Sequence, residues 1–581
     1  MNFIFTFEQP IILKPMEKIV IELKQSDFDG DLSKNNPLSV CDAIFIIKTD
    51  ITKCLCQQND ANPVRELQMG KNTVLEFQGG SLNLYYLVHD VITPLIIRGN
   101  NSFINAPIYP IFKDTIMGEG FVNPIIYADW FSSSQDLAES DTMAVNLAVK
   151  SGHGATIELC NREYFFYDSV ILDKSNTTLL CRGTIVLKHD SNPAFIIKNH
   201  FISIDINIIK SDLIHGDNED LSNISIYKGI AVKFTGNCYH CDININQASY
   251  LKICFDISPG RNLDENYSLD YAGVQYCRFK FQNIFAYNSV LIDTVSGYQS
   301  VTNRWVTECK FSGGRLEGNN GIIYKKPNIT DGVSFDESSG MLFENIGFEN
   351  IVHPISLWHV NFSSFRDIRM AESIYSTYIK LELCRNLLFD IVGNIGDIMK
   401  GEDIIIAKED LIECEHCNRI EIKRSFCGDI NGWNRLNIVN TKPNYLQGDD
   451  IFLVSSSMGN SIFNLNWLIF DNSHPLPSNR TLSFTDLMIH QTDEHQKFKS
   501  LTNMVNIILN NNSELIVDFS DSLYWLKPML IINLTICDFT SNLTFIHSTN
   551  NQCAIGNPVL SASGTYYLSF DPYNEPVITK L

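Results

Sequence analysis

Arg304, Glu308 and Lys310 fall on even positions of the segment Arg304-Trp-Val-Thr-Glu-Cys-Lys-Phe311. In an extended strand, alternate residues share a face. The three charges are therefore expected to project together, with Trp305, Cys309 and Phe311 pointing inward. Glu317, Glu344, Glu349 and Asp367 follow on later segments of similar texture. Two carboxyl groups, one held protonated and one ionised, are what glycoside hydrolysis requires. A base beside a cation suits proton abstraction next to a carboxylate, the step of a polysaccharide lyase. Arg304, Glu308, Glu317, Glu344 and Asp367 are thus candidate catalytic residues. Lys310, Trp358 and Trp433 are candidate substrate contacts, the two tryptophans because they stand near turns. A solvated, charge-paired sheet face would carry the same charges, and core packing would use the same tryptophans.

Other motifs point elsewhere. Cys238-Tyr-His-Cys241 and Cys414-Glu-His-Cys417 have a zinc-like pair spacing, but they stand far apart and each leads into a strand. Buried turn cysteines are the simpler reading, and no metal or cofactor is expected. Asp27-Phe-Asp-Gly-Asp31 has the opening of a calcium loop, but Leu38 stands where the bidentate Glu would be needed. His153-Gly154 and Asp449-Asp450 are isolated fragments of a hydrolase pattern, without the Asn-Thr-Asp strand that would complete it.

The composition limits the partners. Of 581 residues, 44 are basic and 66 acidic, a formal charge of −22. Nothing here would replace the counterions of a nucleic acid, so that partner is disfavoured and no nucleic acid is expected. No apolar run approaches the ~20 residues needed to span a bilayer, and membrane insertion is not expected. The 16 cysteines are scattered and the first residues lack the pattern of a secretory signal. The thiols are read as reduced, small hydrophobes, in a chain folded in a bacterial cytoplasm.

The elements that must position these residues are mostly strands. Short runs of Ile, Val, Phe and Leu are cut by Asn, Gly, Asp and Ser. One helix is expected over residues 141–150, with Asp141 as N-cap and an end near Gly152. Phe279, Phe311, Phe343, Phe365, Leu388 and Ile420 recur at steps of 32, 32, 22, 23 and 32. A coarse repeat of strands without intervening helices indicates a β-solenoid, whose units bury their core against their neighbours. Asn283, Asn345 and Asn350 are expected in its tight turns. Three regions follow: an irregular segment over residues 1–65, the repeat over 66–440, and a β-rich C-terminal region over 441–581.

The stretch from Ile126 to Asp190 resembles the N-terminal signature of the pectate-lyase superfamily. It reads Tyr127-Ala-Asp-Trp-Phe131, Asp141-Thr142, Gly154-Ala-Thr-Ile-Glu-Leu159, Arg162-Glu-Tyr164 and Arg182-Gly-Thr-Ile-Val-Leu187. Gly70-Lys-Asn-Thr-Val-Leu-Glu-Phe-Gln-Gly-Gly-Ser-Leu82 is similar to the leading coils of β-helix proteins from phages and bacteria of the gut Bacteroides group. The resemblance implies an all-β, right-handed single-stranded parallel β-helix with a short N-terminal capping helix. It also implies a flank that holds a polysaccharide or surface glycan. Many phage tailspikes and receptor-binding proteins share it as homotrimers. That reading places the chain in the virion tail, attached through its N-terminal segment. An extracellular polysaccharide lyase or glycoside hydrolase acting on an acidic glycan, and a non-catalytic adhesin, are the alternatives.

Overall fold

The computed structural model describes residues 18–393, apart from residues 30, 55–63, 89–90, 133–139, 214–219, 260–270, 295–302, 327–337 and 371–378; beyond residue 393 it describes the strands alone. The chain is mostly β-strand, with many parallel strands stacked in a large sheet. Ser140–Ser151 is the one α-helix among the described residues. It begins one residue before the expected N-cap, so Asp141 lies in its first turn, where a carboxylate suits the positive end of the helix. Two compact units are present: residues 1–162 with 177–180, and residues 163–176 with 181–581.

In the first unit the strands Ile19–Leu23, Ala43–Ile47, Val74–Phe77 and Phe103–Asn105 pair in parallel, in that order. A second set contains Ile51–Cys54, Leu82–Val88, Phe112–Lys113 and Phe131–Ser132, also parallel. Phe77, Phe112 and Phe131 meet ring to ring in the core between them. The Ser151 hydroxyl, at the end of the helix, accepts from the Met117 main-chain N–H at 3.0 Å.

In the second unit the strands up to Arg480–Thr485 pair in parallel with the segment one repeat later. Val232, Phe255, Val290, Ile322, Ile355 and Ile379 lie opposite one another in succession. A second buried column is aromatic: Phe279, Phe311, Phe343, Phe365 and Phe389. Its ring centroids are 4.5, 4.7, 4.4 and 4.5 Å apart and nearly coplanar in orientation. Parallel strands in register superimpose like side chains at the inter-strand spacing, so a Phe repeat becomes a continuous offset stack. The stack corrects two expected anchors. Phe389, not Leu388, sits opposite Phe365, and Ile422, not Ile420, sits opposite Phe389. Leu387, Leu388 and Phe389 offer apolar side chains in both strand phases, and the stacked rings select one.

Turns between strands use single left-handed residues. Asn345 (φ 56°) is one of them; Asn350 (φ 47°) is left-handed as well, but it lies within the strand Gly347–Trp358 rather than in a turn. Asn283 is not, since it lies within Arg278–Ile292 and pairs with Gln247 and Arg315. Glu308 (φ 54°) is also left-handed, which breaks the expected alternation. Arg304 and Val306 turn inward while Trp305 lies less buried, and beyond Glu308 the residues Cys309 and Phe311 are inward as expected. One left-handed residue shifts the strand phase by one.

Connection lengths vary at one corner. Among the described residues, the strands ending at Ile257, Ile292 and Tyr324 are followed in sequence by those beginning at Tyr271, Asn303 and Ser338, whereas Trp358 is followed at once by the strand Val360–Asn361. Parallel pairing runs on to Arg480–Thr485, and from Met504–Leu509 onward most pairs are antiparallel. The change of sequence texture near residue 441 precedes this change of pairing.

Candidate functional site

Arg315 lies on the strand Lys310–Tyr324, between Asn283 and Gly347 of the neighbouring strands. Two residues later the pairing with Gly347–Trp358 shifts, between Leu316 and Gly318. Glu349 and Asn350 therefore face the stretch where Glu317 stands alone, a bulge that re-aims side chains. Gly318 makes the bend possible. Its φ is 117°, and a Cβ there would lie 2.0 Å from the Ala286 carbonyl oxygen.

The bend gathers two carboxyl groups around one guanidinium. Arg315 Nε forms an ion pair with Glu317 Oε1 at 2.6 Å, and Nη1 donates to Glu349 Oε2 at 2.8 Å. The two acids differ in surroundings. The Glu317 side chain is 17% exposed and that of Glu349 is 39% exposed. Burial pushes the Glu317 carboxyl above the usual carboxylate range; Glu349 adds to that shift, against the opposing pull of Arg315 and a hydrogen bond from Asn350. The hydrogen bond to Glu349 holds the Arg315 guanidinium firmly charged. Glu317 is thus the carboxyl placed to hold a proton, and Glu349 is its more exposed neighbour.

Aromatic side chains adjoin these charges. Phe285 lies directly opposite Glu317 on the preceding strand. Tyr250 meets Phe285 edge to face at 4.7 Å, and Tyr227 stacks on Phe285 at 5.7 Å and meets Tyr287 at 5.6 Å. Phe285, Tyr250 and Tyr287 are only partly buried. Asn320 donates to Asn288 Oδ1 at 2.7 Å, and exposed His353 follows on the next strand. Apolar ring surface beside amides, an arginine and carboxylates fits a ligand with apolar faces and many hydroxyl groups.

The other expected site residues are dispersed. Lys310 and Glu344 meet at 2.5 Å on an outward face. Arg304 is only 7% exposed. Burial lowers its pKa, while nearby Asp293 opposes that shift. Asp293 is itself paired with Lys325 at 2.9 Å. There Tyr324 shares hydrogen bonds with Thr294 and Ser338, and burial pushes its phenol up to about 12. Arg304 thus belongs to a buried polar cluster at the feet of the long connections, not to an outward trio with Glu308 and Lys310. Glu308 is an exposed left-handed residue between strands, and Asp367 an exposed left-handed residue within Ser364–Met370, where the pairing shifts. Trp358 is buried against Tyr324 and His359, which leaves its faces covered. Trp305 is the less buried ring and lies over Gly273. Trp433 lies outside the described residues, as does the Cys414–Cys417 cluster. Cys238 and Cys241 are buried, their thiols directed at the carbonyls of Ile197 and Asn199. Arg315, Phe285 and Tyr287 were not singled out in the sequence. The spacing of Arg315-Leu-Glu317 places both charges on one strand face and was the available signal.

Comparison with protein-family models, with curated proteins and with solved structures finds no match to the chain.

Proposed function

We propose that this chain is a right-handed single-stranded parallel β-helix whose flank recognises a surface polysaccharide, in the manner of a phage tailspike or receptor-binding protein. The observation that carries this reading is the Arg315 guanidinium joining Glu317 and Glu349 beside the partly open rings of Phe285, Tyr250 and Tyr287. Sugars present alternating apolar C–H faces and hydroxyl rims, and such a surface meets both. The in-register parallel pairing supports the solenoid, and the helix Ser140–Ser151 supports an end cap. Attachment through the N-terminal segment and assembly as a homotrimer in the virion belong to the same proposal.

The unequal surroundings of Glu317 and Glu349 favour a second reading, in which the site also cleaves what it binds. Glu317 would protonate the glycosidic oxygen, and Glu349 would act as base or nucleophile. The test is a panel of neutral and acidic polysaccharides, assayed for binding, for new reducing ends and for the ultraviolet absorbance of an unsaturated product. Binding with reducing ends but no absorbance is expected if Glu317 and Glu349 catalyse, and Glu317→Gln then abolishes release. Absorbance would indicate a lyase instead. Binding without product leaves recognition alone. Failure to bind any glycan or glycan-bearing cell refutes the proposal.

A further inference from the structure

Phe201, His240 and Tyr276 occupy equivalent positions on three successive turns of the second unit. Their main-chain N–H groups donate to Tyr239, Gln275 and Thr307 in turn, so each ring sits one rung from the next. The rings are stacked: Phe201 on His240 at 5.4 Å and 13°, His240 on Tyr276 at 5.2 Å and 14°. A second pair, His200 and Tyr239, stacks beside them at 4.6 Å and 15°. The outer column is not core. Phe201 is 51% exposed, Tyr276 is 52% exposed, and His240 is exposed as well.

These three residues are also strained. Their φ values are 56°, 53° and 55°, a conformation that bulky side chains avoid and that Asn and Gly adopt readily. Asn takes it at positions 72, 101, 176, 345, 350 and 386 of this same chain. Three consecutive exposed rings thus stand where an asparagine would adopt the backbone more easily. Strain held at an exposed position points to a role outside folding.

We propose that this column is a second glycan-contacting line, separate from the Arg315 site, that takes a neutral, extended stretch of the same polysaccharide; it rests on the glycan reading above. The rings repeat at the inter-strand spacing, which is close to the repeat of pyranose units in an extended chain. Their outward edges alternate apolar C–H groups with the imidazole of His240 and the phenol of Tyr276. Glu308, exposed and left-handed at the next rung, continues the line with a carboxylate that accepts from sugar hydroxyls. That carboxylate disfavours an anionic sugar, hence a neutral segment.

The test compares the full chain with its triple variant Phe201→Asn, His240→Asn, Tyr276→Asn, and with Arg315→Gln. Each is measured for binding to immobilised neutral and acidic polysaccharides, for thermal midpoint and for oligomeric state. The triple variant is expected to lose about tenfold or more in affinity for the neutral glycan, a free-energy step of ~1.4 kcal/mol. Its midpoint should be unchanged or raised, and its oligomeric state unchanged. Undiminished binding by the triple variant, with binding still lost in Arg315→Gln, overturns this proposal and leaves the glycan reading intact. A lowered midpoint assigns the rings to stability, and a changed oligomeric state assigns them to contact with a second copy; either overturns it. No binding by the unaltered chain overturns both readings.

Discussion

Phe343 is the middle ring of the buried aromatic column, between Phe311 at 4.7 Å and Phe365 at 4.4 Å, and it is wholly buried. A buried phenylalanine removes ~150–250 Å² from water. At ~25 cal/mol per Å² that sets an upper range of about 4–6 kcal/mol. The methyl that alanine keeps and partial collapse of the site bring the expected loss for Phe343→Ala to ~3–5 kcal/mol. Phe343→Leu restores most of the volume but neither ring contact, and should cost ~1–3 kcal/mol. The geometry also predicts where the energy is shared. A double-mutant cycle between Phe311 and Phe343 should give a coupling of ~0.5–1.5 kcal/mol. One between Phe279 and Phe343, separated by the Phe311 ring, should fall below ~0.5 kcal/mol. Equilibrium urea unfolding followed by circular dichroism measures each variant, with stability read from the midpoint at constant slope. A cost under ~1 kcal/mol for Phe343→Ala, or equal coupling across one and two rungs, would refute a stack of nearest-neighbour contacts.

Gly318→Ala should destabilise far more than Gly154→Ala in thermal unfolding. Both glycines have positive φ, but only Gly318 would bring its Cβ against a neighbouring carbonyl, and nothing lies within 4 Å at Gly154. Glu317 makes stability depend on pH with a definite sign. Burial holds its folded pKa above the ordinary carboxylate value, so the native state holds the proton longer than the unfolded chain. Its contribution is complete below that value and is lost as pH rises through the folded pKa. Urea midpoints measured from the carboxylate range to neutrality should fall by less in Glu317→Gln than in the unaltered chain, and parallel profiles would contradict this. Brief maleimide treatment of the native protein should modify exposed Cys41 and spare Cys238, Cys241, Cys254 and Cys277, which are buried; burial pushes up the thiols of Cys238 and Cys254, and the hydrogen bond with Cys277 followed by burial pushes up that of Cys241. Peptide mass spectrometry showing Cys277 labelled before unfolding would place the inner column within reach of solvent.

The strand texture, the helix and the spacing of Phe279, Phe311, Phe343 and Phe365 were legible because each rests on a local or strictly repeated signal. Apolar runs name strands, and identical rings in register stack. Leu388 was chosen over Phe389 because an apolar triplet fits either phase, and only pairing decides between them. The outward trio of Arg304, Glu308 and Lys310 failed for a related reason. Alternation holds only while every residue is extended, and one left-handed Glu308 moves Arg304 into the interior. Nothing in Thr307-Glu308-Cys309 announces that conformation as Asn or Gly would. The carboxyl pair was half visible. Glu317 was a candidate by type, but its junction with Glu349 depends on a shifted pairing that no single segment encodes.

The corner where, among the described residues, the strands ending at Ile257, Ile292 and Tyr324 are followed by those beginning at Tyr271, Asn303 and Ser338 has an evolutionary consequence. On either side of each connection the chain is held in register by the rung before and the rung after, so the columns do not sense how much sequence lies between. Lengthening such a connection twofold costs only ~0.6 kcal/mol of closure entropy. A lineage could therefore change the length of these three stretches one at a time, by insertion or deletion, without altering a single ring of the Phe279–Phe389 stack. Relatives should then agree in the spacing of their phenylalanines from the strand ends and differ most in the residues that follow Ser258, Asp293 and Lys325.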